Sequence, residues 1–110
     1  LVNFWATSCP GCIKEMPDLV NTWQKYHSRG LETIAVAMSY DPPEYVRQFA
    51  EKNGLPFAVA LDTDGAAARA FGNIRVTPTT LVIGRQGQIV QQYVGEPDFA
   101  GLHALIESAL

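Results

Sequence analysis

The chain has 110 residues, 47% of them hydrophobic and 17% charged, with a formal net charge of −3. That is enough for one domain with a core, too little for two, and too apolar for a disordered chain. Its 8 Lys and Arg residues are scattered, so the basic stripe that nucleic acid requires is missing. No apolar run approaches the roughly 20 residues that span a bilayer.

Leu1–Ala6 is apolar, bounded by Thr7-Ser8, and predicts a central strand already under way. A domain that opens so abruptly is expected to lack its beginning, and an export signal or membrane anchor would have lain upstream. From Pro10 the period changes. Ile13, Met16, Leu19, Val20, Trp23 and Tyr26 recur at helical spacing, and Gly30 supplies a stop. Pro17 should bend this helix, because its ring excludes the carbonyl four residues earlier.

Thr33–Met38 predicts a second strand. Asp41-Pro42-Pro43-Glu44 predicts a helix start with Asp41 as cap and Pro42 at the first helical position, running to Asn53-Gly54. A short strand over Pro56–Leu61 and a short helix over Ala66–Phe71 follow. In Asp62-Thr63-Asp64-Gly65 the later acidic ligands of a calcium loop are absent, so a turn that caps this helix is expected. Thr80–Ile83 and Gln88–Val94 read as a hairpin around Gly84-Arg85-Gln86-Gly87, and Asp98 as the cap of a last helix bearing Phe99, Leu102, Leu105 and Ile106. Strand–helix alternation in the first part implies parallel pairing, and the terminal hairpin adds an antiparallel edge. His27 and His103 read as surface helix residues.

The only two cysteines, Cys9 and Cys12, stand three positions apart. A bridge closing so small a loop adds little stability, so reactivity is the better reason for the pair. Cys9-Pro10-Gly11-Cys12 falls where a strand ends and a helix begins. Unpaired N–H groups and the positive end of the helix dipole stabilise a thiolate there. Cys9, at the helix mouth, is the expected attacking thiol, and Cys12, one turn in, the resolving one. The other use of such a pair is half a zinc site. Only His27 and His103 could add imidazoles, and His27 lies roughly 23 Å along the same helix at 1.5 Å per residue.

Phe4-Trp5-Ala6-Thr7-Ser8-Cys9-Pro10-Gly11-Cys12 with Lys14-Glu15-Met16-Pro17, together with Val76-Thr77-Pro78-Thr79-Thr80, resembles the two signatures of the thioredoxin superfamily. More narrowly it resembles the TlpA-like branch of extracytoplasmic thiol–disulfide oxidoreductases, over essentially the whole chain. The resemblance implies an α/β thioredoxin-like fold: a mixed central sheet flanked by helices, a helix–strand insertion between Ser39 and Ala60, and the family's N-terminal strands missing from this single domain, 1–110. It also implies a cis Pro78 facing the dithiol, with the Thr77 backbone free to pair with an extended substrate. Trp5 would pack beside the dithiol, and Pro10 would border the substrate. Glu15, one turn beyond Cys12, would tune the thiols and assist proton transfer; the other reading is a solvated surface carboxylate. Asn3 stands where thioredoxins bury an aspartate, so that base is vacant and Glu15 is the candidate to replace it.

The expected function is therefore reduction of disulfides in exported proteins, cytochrome c maturation included. It needs no cofactor beyond the redox-active disulfide and no metal. Expected partners are protein thiol or disulfide substrates and a membrane-embedded reductant as electron donor. The domain is expected to be a monomer in the bacterial periplasm or on the outer face of the membrane, anchored by a preceding segment. The Pro10-Gly11 dipeptide offers Cys9 no positive side chain, which leans the pair toward the reducing end. Two alternatives stay open: a peroxiredoxin-like peroxide reductase, although Thr7-Ser8-Cys9 lacks the upstream proline, and a copper-binding module using the two thiols as soft ligands.

Overall fold

A computed structural model describes residues 1–110. Its core is a five-stranded sheet in the order β3-β2-β1-β4-β5. β1 (Val2–Trp5) runs through the centre, parallel to β2 (Ile34–Ala37), which is parallel to β3 (Ala58–Leu61). On its other side β1 is antiparallel to β4 (Thr79–Ile83), and β4 to β5 (Ile89–Val94). Four α-helices complete the chain: α1 (Pro10–Tyr26), α2 (Pro43–Asn53), α3 (Ala66–Ala70) and α4 (Phe99–Ala109).

Alternation along β1 divides its side chains between two layers. Trp5 packs with Cys12, Met16 and Leu19 of α1, Val46 of α2, and Ala35 and Ala37 of β2. Phe4 points the other way, with Val36, Leu81 and Ala68 of α3. A third cluster joins the far end of α1 to α4 through Tyr26, Leu102, Ile106 and Val82. So α1, α2 and α4 cover one face and α3 the other. Burial of a side chain the size of Phe4 or Leu19 contributes about 1.5–3 kcal/mol, and this burial, more than helix propensity, is what holds α1.

The expected elements are present, with local corrections. Pro17 lies inside α1, as expected. The α-helix itself stops at Tyr26 and tightens into a 3₁₀ turn over His27–Arg29, which Gly30 ends at φ 110°, a conformation that favours glycine. Asp41 does not cap α2. Pro42 is the N-cap and Pro43 opens the helix. Asp41 is buried and its carboxylate accepts instead from the Thr7 N–H and hydroxyl, at 2.7 and 2.6 Å. The acidic turn before α3 behaves as a cap: Asp62 accepts from the N–H groups of Ala67 and Ala68, and Asp64 from that of Ala66. Asp98 holds the N-cap position of α4 without a side-chain hydrogen bond. His103 is only partly at the surface. It is half-buried between α4 and α1, with Nε2 2.8 Å from the Thr22 hydroxyl.

Candidate active site

The backbone between β1 and α1 turns sharply: Cys9 N–H donates to the Ala6 carbonyl, and the Cys9 carbonyl accepts from Ile13 N–H, both at 3.1 Å. Cys9 is therefore the N-cap of α1, in extended conformation. That position usually holds an oxygen that accepts a free helix N–H. Here the Cys9 sulfur takes the role and accepts from Cys12 N–H at 3.2 Å. Pro10 follows at the first helical position, where its missing donor costs nothing. Cys9 and Cys12 form a disulfide across 5.2 Å between Cα atoms. Cys9 is half-buried and Cys12 wholly buried. One sulfur is reachable and the other waits behind it.

The loop before β4 closes the opposite side. The Thr77–Pro78 peptide bond is cis, and a Cβ placed on Gly11 would lie 3.7 Å from Pro78 Cδ, so the proline packs directly on the dithiol loop. The Pro78 carbonyl accepts from Gly95 N–H at 2.8 Å, whereas the Thr77 backbone enters no backbone hydrogen bond. Thr77 is half-exposed and Pro10 exposed.

Behind the dithiol lies a buried polar group. Glu15 is only 1% exposed, which removes the reading of a solvated surface carboxylate. Its Oε1 accepts from Asn3 Nδ2 at 2.9 Å, and the same amide donates to Thr80 Oγ1 at 3.0 Å. Glu15 Oε2 and Asn3 Oδ1 are buried with no hydrogen-bond partner. Burial raises the Glu15 carboxyl to about 7; the Asn3 bond opposes the rise, and the charges of Glu96 and Asp18 add to it. A carboxyl near 7 can give or take a proton at neutral pH.

Trp5 packs beside the dithiol, where the resemblance puts it. It is wholly buried in the cluster that contains Cys12, with its ring against Phe49 and centroids 5.3 Å apart. It supports the dithiol from below. No group of three or more His, Cys, Asp and Glu side chains gathers at a metal-binding distance.

Two neighbours of the site escape the sequence pattern. Asn3 reads there only as a lost base, yet its amide is what orients Glu15. Glu96 carries no motif at all. No sequence signal marks it: the β4–β5 pairing, shifted by one at a bulge between Val82 and Ile83, sets Gly95, and Glu96 with it, beside Pro78.

Comparison with known proteins agrees with this geometry. Residues 1–106 match the model of the family described as Redoxin. The thiol-disulfide oxidoreductase ResA of Halalkalibacterium halodurans is 37% identical over 94 residues, covering 86% of this chain and 52% of that protein. A Neisseria meningitidis protein assigned as a thioredoxin and solved in solution is 46% identical, with a TM-score of 0.92, covering 98% of this chain and 71% of that one. The crystal structure of a thiol:disulfide interchange protein from Chlorobium tepidum is 30% identical with a TM-score of 0.87, covering 98% and 77%. The chain spans about half the length of the curated relatives it matches. With a capped dithiol, a cis-proline loop packed on it and a sequence match over nearly its full length, the chain belongs to the Redoxin family, within the TlpA-like branch of the thioredoxin superfamily.

Proposed function

We propose that this domain is a thiol–disulfide oxidoreductase that reduces disulfides of exported proteins. The observation that carries the reading is the Cys9 sulfur acting as the cap of α1, accepting an N–H bond while Cys12 lies buried behind it. In the reduced protein the same N–H and the helix dipole favour the Cys9 thiolate over the thiol.

That thiolate attacks one sulfur of a substrate disulfide, forming a mixed disulfide and releasing the other substrate sulfur as a thiolate. Cys12 then loses its proton and attacks the Cys9 sulfur. The Cys9–Cys12 bond forms, the mixed disulfide breaks, and two electrons have passed to the substrate. Glu15 is the group we assign to accept the Cys12 proton, through the unpartnered Oε2. The substrate would dock as an added strand on the free Thr77 backbone, with Pro78 and Pro10 bordering the sulfurs. A membrane-embedded reductant would restore the dithiol. The resemblance to TlpA-like proteins supports an extracytoplasmic setting, with apocytochrome c cysteines among the targets. No helix of the chain is long and apolar enough to cross a membrane, so anchoring would need a further segment.

The test is trapping. Cys12→Ser should accumulate a mixed disulfide between Cys9 and a disulfide peptide, and Cys9→Ser should abolish turnover. If both thiols of the reduced protein alkylate at the rate of an ordinary free cysteine, the reading fails. Equilibration with glutathione fixes the direction: a potential near about −270 mV fits a reductant, and one near about −120 mV would make the domain an oxidant.

A further inference from the structure

The Gly95-Glu96-Pro97 corner after β5 has no part in the exchange just described, yet the hairpin bulge delivers it to the redox loop. The Gly95 bond to the Pro78 carbonyl holds one side of Glu96, and buried Pro97 holds the other. Glu96 Oε1 lies 4.0 Å from the point a Cβ on Gly11 would occupy, between the two cysteines in sequence. Its Oε2 is 3.7 Å from Lys14 Nζ. The Glu96 side chain is 38% exposed and that of Lys14 78%.

These positions make an asymmetric rim. Lys14 is a mobile cation on a flexible stem, and an exposed pair with one long contact contributes little. Glu96 follows an anchored residue, lies within ordinary contact range of Gly11, and is still open to solvent. The charge of Glu96 also reaches Glu15, whose carboxyl it helps to raise, so its influence extends to the group behind the dithiol. A substrate strand paired to Thr77 must pass Pro78 and Gly11, and so passes this carboxylate.

We infer that Glu96 is a specificity-determining residue whose carboxylate favours disulfide peptides with Lys or Arg next to the cysteine under attack. The inference rests on the proposed disulfide exchange at Cys9. Lys14 serves as counter-ion between turnovers and gives way to the substrate cation, which trades one exposed ion pair for another at small cost. Charges at such a rim act on encounter and orientation, and salt weakens them.

The experiment compares three disulfide peptides that differ only beside the cysteine, carrying Lys, Ser or Glu, each reduced by the full dithiol protein at low salt. The Lys peptide should exceed the Glu peptide in kcat/KM by about two- to fivefold, the range an exposed ion pair supplies. Glu96→Gln should level the series, Glu96→Lys should reverse it, and Glu96→Asp should restore most of the preference. A preference that survives Glu96→Gln overturns the inference, as does an equal fall on all three peptides, which would make Glu96 a structural support. If the unmutated protein reduces none of them, the exchange reading itself fails.

Discussion

The two ends of α1 treat buried polar groups in opposite ways. At the far end, Thr22 and Tyr26 are wholly buried and fully engaged. The Thr22 hydroxyl donates to the Asp18 carbonyl at 2.7 Å and meets His103 Nε2, while Tyr26 OH donates to Glu107 at 2.7 Å. At the dithiol end, Glu15 Oε2, Asn3 Oδ1 and the Trp5 indole nitrogen are buried without partners. An unmade bond of this kind costs about 1–3 kcal/mol. The side chains that join α1 to α4 all have partners, and away from the dithiol only Thr33 Oγ1, just before β2, is buried without one. Those at the dithiol end leave a carboxyl oxygen without a partner. Unsatisfied burial of this kind is where a fold gives up stability, and the proposed exchange would use it.

The sharpest way to break this comparison is to remove the Glu15 charge. Its carboxyl titrates near 7 in the fold against an ordinary value of 4.5, so the folded protein binds the proton more tightly than the unfolded chain. Stability from this group is complete below the lower value, falls as pH rises between the two, and is flat above. The loss is at most about 3 kcal/mol. Glu15→Gln should remove that slope in urea melts from pH 4.5 to 8 and leave the protein more stable at pH 8. The same variant should change the pH profile of disulfide exchange. A stability slope that persists in the variant would show that Glu15 is not the buried acid.

At the other end the sign reverses. Tyr26→Phe deletes the hydroxyl that donates to Glu107, so it should lower the thermal midpoint by about 5 °C while leaving exchange rates unchanged. The Tyr26 bond also pulls the Glu107 carboxyl below its ordinary value, with Lys25, Arg29 and His103 helping. That contribution is present above the ordinary carboxyl range and weakens as pH falls through the lowered one, so the penalty of Tyr26→Phe should shrink toward acid pH. The smallest effect is expected from Thr22→Val. It loses a bond to a half-buried histidine that water can replace, and should shift the midpoint by about 3 °C or less. If either far-end variant stabilised the protein, the contrast between the ends would be lost.

How far the site is legible depends on where its parts lie in sequence. The capped dithiol is local: strand, Thr7-Ser8, Cys9, Pro10 and the onset of helical spacing fall within a dozen residues, so the pattern places both sulfurs. Glu15 is legible as one turn beyond Cys12 but not as buried, because its burial depends on Asn3 and Thr80 from two strands of the sheet. Asp41 shows the converse. A good cap by local rules, it is claimed by Thr7, 34 residues away, and α2 starts one residue later. His103 looks solvent-facing along α4 until α1 is laid against it.

Composition and period alone pointed to an α/β fold, to the order of its strands and helices, and to two cysteines at a helix mouth. Each depends on neighbours in sequence, through backbone sterics and apolar spacing. Pro78 facing the dithiol and Trp5 beside it follow from the family resemblance, but only the folded chain decided that Glu15 loses its water and that Glu96 stands at the rim of the pair. These depend on the register of β1 against β4 and of β4 against β5, where a single bulge moves every facing residue by one. Long-range pairing is fixed by the packing of whole faces, and no window of the sequence contains it.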